Sequence, residues 1–423
     1  MLDIKFVREN KDLIEDAVRK KGINFDLDAL LALDDKRREL IKETEEIRAL
    51  QKKMGADQRD QAKELKDKYT ALDYELKGIE TEFESMMLLV PNVFSSDTPI
   101  GADCSGNQEI YKWGKIPEFD FDLKDHIQLG KDLDIIDIEI GTKVGGFRGY
   151  YLKNEAAILQ MALVWYALDK LREKGYKLVI PPTIIKEFAL IGSGHFPTGK
   201  DNIYQVAAPR DLCQNEEDKE IKYLAGTSES ALLAYYSNQI IEEKELPLKM
   251  GGYSHCYRSE IGSYGKDTKG LYRVHEFMKV EQVIICKDDL QESLAIFEEL
   301  KNNACEILEE LGLPYRVLAI CTGDMGAGKY KMYDLETWMP SRNAYGETHS
   351  DSHLTDWQAR RLNIKYKDAD GNKKFVYTLN NTMVASPRIL IAILENFQQP
   401  DGSIKIPKVL QKYTGFDRIH PVK

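Results

Sequence analysis

Residues 258–281 read RSEIGSYGKDTKGLYRVHEFMKVE. Two stretches alternate like strands and are joined by a loop of Gly, Lys, Asp and Thr. Period-two alternation sets Arg258 and Glu260 on one face of the first stretch, and Phe277 and Glu281 on one face of the second. An unpartnered charge in a core is costly, so an ordinary buried hairpin would not carry this set. Two readings remain. One is a surface hairpin laced with cross-strand ion pairs. The other is the floor of a site for a charged ligand, because an arginine fork grips phosphate bidentately and an aromatic face stacks on a base.

A second stretch, TLNNTMVASPRILIAILENFQ at 378–398, repeats the theme. A strand runs into small polar residues, then Ser386 and Pro387 read as the N-cap and first position of a helix. Arg388 falls in its first turn, where its charge adds to free backbone N–H groups, an arrangement suited to a polyphosphate. A capped core helix with an incidental arginine is the plainer alternative.

Around these segments the chain reads as α+β. Strand-like segments recur near Leu178–Ile180, Gly251–Ile261, Leu271–Cys286, Thr337–Asp356 and Phe375–Leu379, with helices over about Glu155–Lys174 and Asp288–Leu311. Helices against one side of a mostly antiparallel sheet are the expected result. At 423 residues, two or three domains are expected. Hydrophobic residues make up 43% and charged residues 30%, an ordinary globular balance. The net charge of −11 argues against blanket nucleic-acid binding but leaves room for a local basic patch. Six scattered cysteines predict reduced thiols and no disulfide framework. The uncharged run 156–168 is too short to span a bilayer. The opening MLDIKFVREN has neither an apolar stretch nor an acid-poor composition, so a cytoplasmic location and no membrane partner are expected.

Residues 28–90 differ from the rest. Ala62, Leu65, Tyr69, Leu72, Leu76, Ile79, Phe83 and Met86 alternate in steps of three and four, a heptad seam. Leu30, Leu33, Leu40, Ile47 and Met54 keep the rhythm before them, with Arg37, Thr44 and Gln51 in the alternate places. GADQ at 55–58 reads as a turn, so two antiparallel helices about 40 Å long are predicted. Charge divides this hairpin. Residues 48–68 hold seven Lys and Arg against four Asp and Glu, whereas 28–47 and 69–90 together hold five against twelve. A solvated coiled coil would explain the charges, and so would a probe that meets phosphate only at its tip, through Lys52, Lys53, Arg59 and Lys63.

Two further motifs invite chemistry. GDMGAGKY at 323–330 contains G-x4-G-K, but Tyr330 stands where a phosphate-binding loop needs Ser or Thr and no helix pattern follows. That reading is rejected. HSDSH at 349–353 would place His349, Asp351 and His353 on one strand face as metal ligands; an exposed polar strand explains it as well.

In their order, these segments resemble class II aminoacyl-tRNA synthetases, and within them the seryl-tRNA synthetase family, over nearly the whole chain. LAGTSESAL (224–232), the 258–281 hairpin, MYDLETWMP (332–340), DWQARRLNIKY (356–366) and TLNN…R…AILEN carry the resemblance. It implies an antiparallel-sheet catalytic domain over 101–423 and an N-terminal tRNA-binding domain over 1–100, with its helical arm at about 28–90. It implies ATP and Mg2+ as cofactors, L-serine as substrate, tRNA(Ser) gripped by its long variable arm, and a homodimer built partly on GYKLVIPP (175–182).

Carried over residue by residue, Arg258, Ser259, Glu260, Phe277, Glu347, Thr348, His349, Ser350 and Arg388 would meet ATP. Arg258 would hold the α-phosphate and the amino-acid carboxylate, with Phe277 and Arg388 on the two sides of adenine. Glu347 and Ser350 would hold magnesium. Thr227, Ser228, Glu229, Arg258, Glu281 and Thr382 would receive serine. The family's pattern is departed from at Asn381-Thr382, where Gly-Ser is common, at Pro387, and at His349 and His353. A synthetase-like protein with a binding or regulatory role, and an enzyme loading amino acids onto a carrier protein, are the alternatives. The second predicts a missing or altered arm.

Overall fold

The computed structural model describes residues 1–54, 59–207, 221–261 and 269–422. The predicted turn at 55–58 and most of the hairpin loop, 262–268, lie outside the described residues. The chain divides into two units, Met1–Val93 and Phe94–Lys423. Among the described residues, no helix is long and apolar enough to cross a membrane.

The first unit opens with helices Ile4–Glu9 and Lys11–Lys20, followed by the long pair Leu27–Lys53 and Arg59–Met87. Every seam position named above is buried or half-buried. The helices run antiparallel: Lys36 pairs with Glu75 at 2.7 Å, the Arg37 guanidinium lies 4.3 Å from the Phe83 ring centre, and Arg48 lies over Tyr69. These contacts explain the polar seam residues of the first helix. Arg37 spreads over an aromatic ring while its charge reaches buried Asp34 at 2.8 Å. Thr44 satisfies its hydroxyl on the carbonyls of Leu40 and Ile41, within its own helix. Lys52, Lys53, Arg59 and Lys63 stand exposed where the two helices approach the undescribed turn.

The second unit is built on an eight-stranded sheet, in spatial order 108–113, 315–319, 331–339, 344–353, 377–385, 276–286, 248–257 and 177–179. All neighbours are antiparallel except the last pair. The predicted segment 337–356 is really the end of one strand, a turn, and a second strand. Strands 108–113 and 315–319 are additions to the segments read as strands from the sequence.

Alternation sorts the two faces of strand 276–286. Val280 and Ile284 join the core formed with helices Asn154–Glu173, Leu290–Leu311 and Ser386–Asn396. Gln282, on the same face, reaches the Leu300 carbonyl. Phe277, Lys279 and Glu281 face the other way and floor a cavity.

Two bulges interrupt the ladders beside that cavity. Thr348 is the extra residue where strand 344–353 meets 331–339, and Met383 where strand 377–385 meets 276–286. A bulge shifts the phase of alternation. Glu347 and Thr348, though adjacent, therefore both line the cavity, and Ala385 turns to it after Thr382.

Candidate functional site

The cavity, about 200 Å³, is lined by seventeen residues beyond the three of its floor. It adjoins a wider cleft of about 730 Å³, with which it shares His195, Glu229, Arg258, Glu260, Lys329, Glu347 and Arg388.

Arg258 stands just past the end of strand 248–257, not on it. Its backbone N–H bonds the His275 carbonyl, its Nε lies 3.4 Å from the Gly226 carbonyl, and its guanidinium lies 5.3 Å above the Phe277 ring. Glu260 follows with φ 54°, in the left-handed region, and its carboxylate meets Arg273 at 3.3 Å. The expected face shared by Arg258 and Glu260 on a first strand is thus corrected. The chain has left the sheet before either residue, and both reach the cavity from the segment just past the strand, not from its pleat.

Arg388 occupies the first turn of helix Ser386–Asn396, as expected. The cap differs from the prediction: Ala385 is the capping residue and Ser386 begins the helix, its hydroxyl donating to Gln160 at 3.0 Å. The Arg388 guanidinium is fixed at several points. Nε donates to the Tyr272 carbonyl at 3.2 Å, Nη1 donates to the Glu347 carbonyl at 2.7 Å, and the Tyr272 ring lies 4.5 Å away. Burial opposes its charge, but the Glu347 carboxylate beside it holds its pKa above the usual arginine value.

The other half of the cavity is carboxylate-rich. Residues 227–229 lead into helix Glu229–Ala234. Gly252, directly across the ladder from Glu281, lets that turn pack close, since a Cβ there would come within 2.7 Å of the Ser228 hydroxyl and 2.6 Å of Leu232. Glu229 accepts from Gln358 at 2.6 Å and Asn380 at 2.9 Å. Glu281, also buried, pairs with Lys279, whose ammonium donates in turn to the Thr227 hydroxyl at 2.8 Å. Burial pushes the Glu281 carboxyl up, against the pull of Lys279.

Thr227, Glu229, Arg258, Glu260, Phe277, Glu281, Glu347, Thr348, Ser350, Thr382 and Arg388 all line the one cavity. Three predicted residues do not. Ser228 is buried with its hydroxyl toward the Gly252 carbonyl, and the Ser259 hydroxyl donates to the Asp201 carbonyl at 2.6 Å. His349 faces the opposite side of the sheet. Its Nε2 donates to the carbonyl of Met383 at 3.1 Å and its Nδ1 lies 2.9 Å from the Thr348 hydroxyl. It thereby ties one bulge to the other, and burial pushes its pKa down to about 4.

The reading of 349–353 as an exposed polar strand is also corrected, because His349, Asp351 and His353 are all buried. The two histidines have separate partners, Met383 and Ser293, and the described residues contain no cluster of three or more metal-ligating side chains.

Sequence reasoning missed His195, Tyr272, Lys279, Lys329 and Asn380 in the lining. Lys279 was within reach: it shares strand parity with Phe277 and Glu281. Lys329 comes from the rejected glycine-rich motif, which delivers a lysine to the cleft without forming a phosphate-binding loop.

The chain matches two family models: the seryl-tRNA synthetase N-terminal domain over 1–94, and the tRNA synthetase class II core domain (G, H, P, S and T) over 209–397. The serine–tRNA ligase of Borreliella afzelii (strain PKo) is 45% identical over 99% of both chains, and that of Deinococcus radiodurans 40% over 98% of both. Among solved structures, seryl-tRNA synthetase from Pyrococcus horikoshii complexed with ATP is 37% identical with a TM-score of 0.90, covering all of both chains. The cytoplasmic enzyme of Naegleria fowleri in complex with AMP has a TM-score of 0.88 at 30% identity, over 100% of this chain and 99% of that one. The chain belongs to the seryl-tRNA synthetase family.

Proposed function

We propose that this protein activates L-serine with ATP and transfers the seryl group to tRNA(Ser). The observation that carries the reading is a single cavity lined by two arginines and an aromatic ring, suited to a nucleotide, together with Glu229, Glu281 and Thr382, suited to a small polar amino acid. The serine carboxylate attacks the α-phosphorus of ATP, giving seryl-adenylate and pyrophosphate. The terminal ribose hydroxyl of the tRNA then attacks the adenylate carbonyl. No covalent enzyme nucleophile is required. The protein's part is to position the reactants and stabilise charge: Arg258 at the α-phosphate and carboxylate, Arg388 at the phosphate tail, Phe277 against adenine, Glu260 at its edge.

Magnesium fits the oxygen donors present. Glu347 is the exposed carboxylate of the bulge, Ser350 lies on the same cavity wall, and Asp334, paired with Ser350 across the ladder, has a buried carboxyl oxygen without a hydrogen-bond partner among the described residues. Glu347 and Ser350 would hold the ion, which neutralises phosphate charge when bound.

The N-terminal unit would serve as the tRNA-binding domain, with the arm's basic tip on the long variable arm. A homodimer is favoured by an exposed apolar stripe of Ile158, Met161 and Trp165 on helix Asn154–Glu173, with Leu178 and Ile180 exposed nearby in sequence. Charging assays with a tRNA carrying a long variable arm, and with the same tRNA lacking it, test the reading. Equal charging of both would contradict the role given to the arm.

A further inference from the structure

We infer that Lys279 is a specificity-determining residue that sets the charge of the serine pocket, leaving one carboxylate for the substrate's ammonium and neutralising the other so that it reads a hydroxyl. The inference rests on the proposed serine site and extends it to a residue that the family resemblance did not bring forward.

The two buried carboxylates of the pocket are built differently. Glu229 is held by the neutral amides of Gln358 and Asn380, and among the described residues no lysine or arginine forms an ion pair with it. Glu281 has a cation of its own, because Lys279 contacts it from two residues along the same strand face. Lys279 is itself 5% exposed and is anchored by the Thr227 hydroxyl at 2.8 Å, which holds its ammonium beside Glu281.

A buried carboxylate without a counterion calls for one. Glu229 is therefore completed by an α-ammonium. Glu281, already compensated, has only lone pairs to offer and is completed by a neutral donor such as the serine hydroxyl. Thr227 joins the two halves, since its hydroxyl oxygen accepts from Lys279 beside the backbone that leads into Glu229.

The consequence concerns a substrate analogue. L-2,3-diaminopropionate has the shape of serine with an ammonium in place of the hydroxyl. In the native pocket that second charge would lie beside Lys279 and be repelled. With Lys279 replaced by an apolar chain of similar length, Glu281 lacks its counterion and the diamine supplies it.

The test compares wild type, Lys279→Met and Lys279→Arg in amino-acid-dependent pyrophosphate exchange, reading the ratio of kcat/KM for serine to that for L-2,3-diaminopropionate. Lys279→Met is expected to move that ratio toward the diamine by about tenfold or more, as follows when a buried charge changes partner. Lys279→Arg is expected to keep the preference for serine, with a lower rate from its bulk. The ratio does not depend on how much of a variant is active, so a purely structural lysine would lower both substrates together and leave it unchanged, which would overturn the inference. Titration calorimetry of both amino acids covers a variant that binds without turnover. A folded Lys279→Met that binds neither would also overturn it, since an uncompensated Glu281 must hold the diamine. Failure of the wild type to exchange pyrophosphate with serine would instead sink the proposed function.

Discussion

Glu281 and Thr382 face each other across neighbouring antiparallel strands, one residue from the bulge at Met383. Both are buried and both line the cavity. The bulge fixes which residue opposes Glu281, and so fixes the carboxylate and hydroxyl that a small polar side chain would meet. Thr382→Val keeps the volume and removes the hydroxyl, so serine activation should fall by about 1–3 kcal/mol in transition-state free energy. Thr382→Ser should keep serine activation and admit more threonine, because the methyl that narrows the pocket is gone. Glu281→Ala should be worse than either, and alanine should be rejected by wild type by about 10⁴-fold or more. Steady-state exchange kinetics with the three amino acids check all four. Serine activation by Thr382→Val at the wild-type rate would leave Thr382 as a wall only.

Arg388 is held by two backbone carbonyls, those of Tyr272 and Glu347, which come from different strands and loops. A lysine cannot make both bonds from one rigid plane. Arg388→Lys and Arg388→Ala should therefore both cut adenylate formation severely, as should Arg258→Ala and Arg258→Lys. Pre-steady-state measurement of adenylate formation separates this loss from slow product release. Near-normal adenylation by Arg258→Lys would remove Arg258 from the phosphate site.

Much of this site is legible in the sequence, and what is not has physical causes. Phe277 and Glu281 on one strand face and the helical arm follow from periodicity, and Arg388 at a helix start from the Ser-Pro pair before it. The arm's polar residues interrupt the apolar seam, and Arg37 and Thr44 are satisfied there by Phe83, Asp34 and their own helix. The bulges at Thr348 and Met383 could not be read, because one extra residue reverses the phase of alternation without changing composition. His349, which the resemblance set against ATP, lies behind the cavity, because the extra residue at Thr348 turns it to the other face. Arg258 and Glu260 were placed on a strand that ends at Tyr257, since a loop that brings charge to a cavity shows the same residue types as a strand edge.

The arm gives an independent prediction. Among the described residues, the cavity lining is drawn entirely from the second unit. Replacing residues 31–87 with a short linker should spare adenylate formation and largely abolish tRNA charging. Neutralising Lys52, Lys53, Arg59 and Lys63 should weaken tRNA binding and flatten its dependence on salt. An unchanged salt slope in filter binding would mean that the tip touches no phosphate.

Stability should respond to acid through His353. Its Nε2 meets the Ser293 hydroxyl at 2.8 Å, its Nδ1 accepts from the Thr355 N–H at 3.1 Å, and burial, reinforced by Lys331, pushes its pKa down to about 3. The unfolded chain takes up this proton near the ordinary histidine value of about 6.5, whereas the folded protein does not. The contribution is therefore present above about pH 6.5 and is lost progressively as pH falls toward about 3, by about 1.4 kcal/mol per unit. Between about pH 7.5 and about pH 5.5, wild type should lose about 1.4 kcal/mol more than His353→Gln. Urea unfolding at the two pH values reads the difference, and identical losses would contradict it.

The central claim is that the cavity activates serine. Serine-dependent exchange of labelled pyrophosphate into ATP by the purified protein, without tRNA, measures that step alone. Exchange that requires serine, is not supported by alanine, and disappears in Arg258→Ala is the predicted result. Absence of serine-dependent exchange in the folded wild-type protein would contradict it.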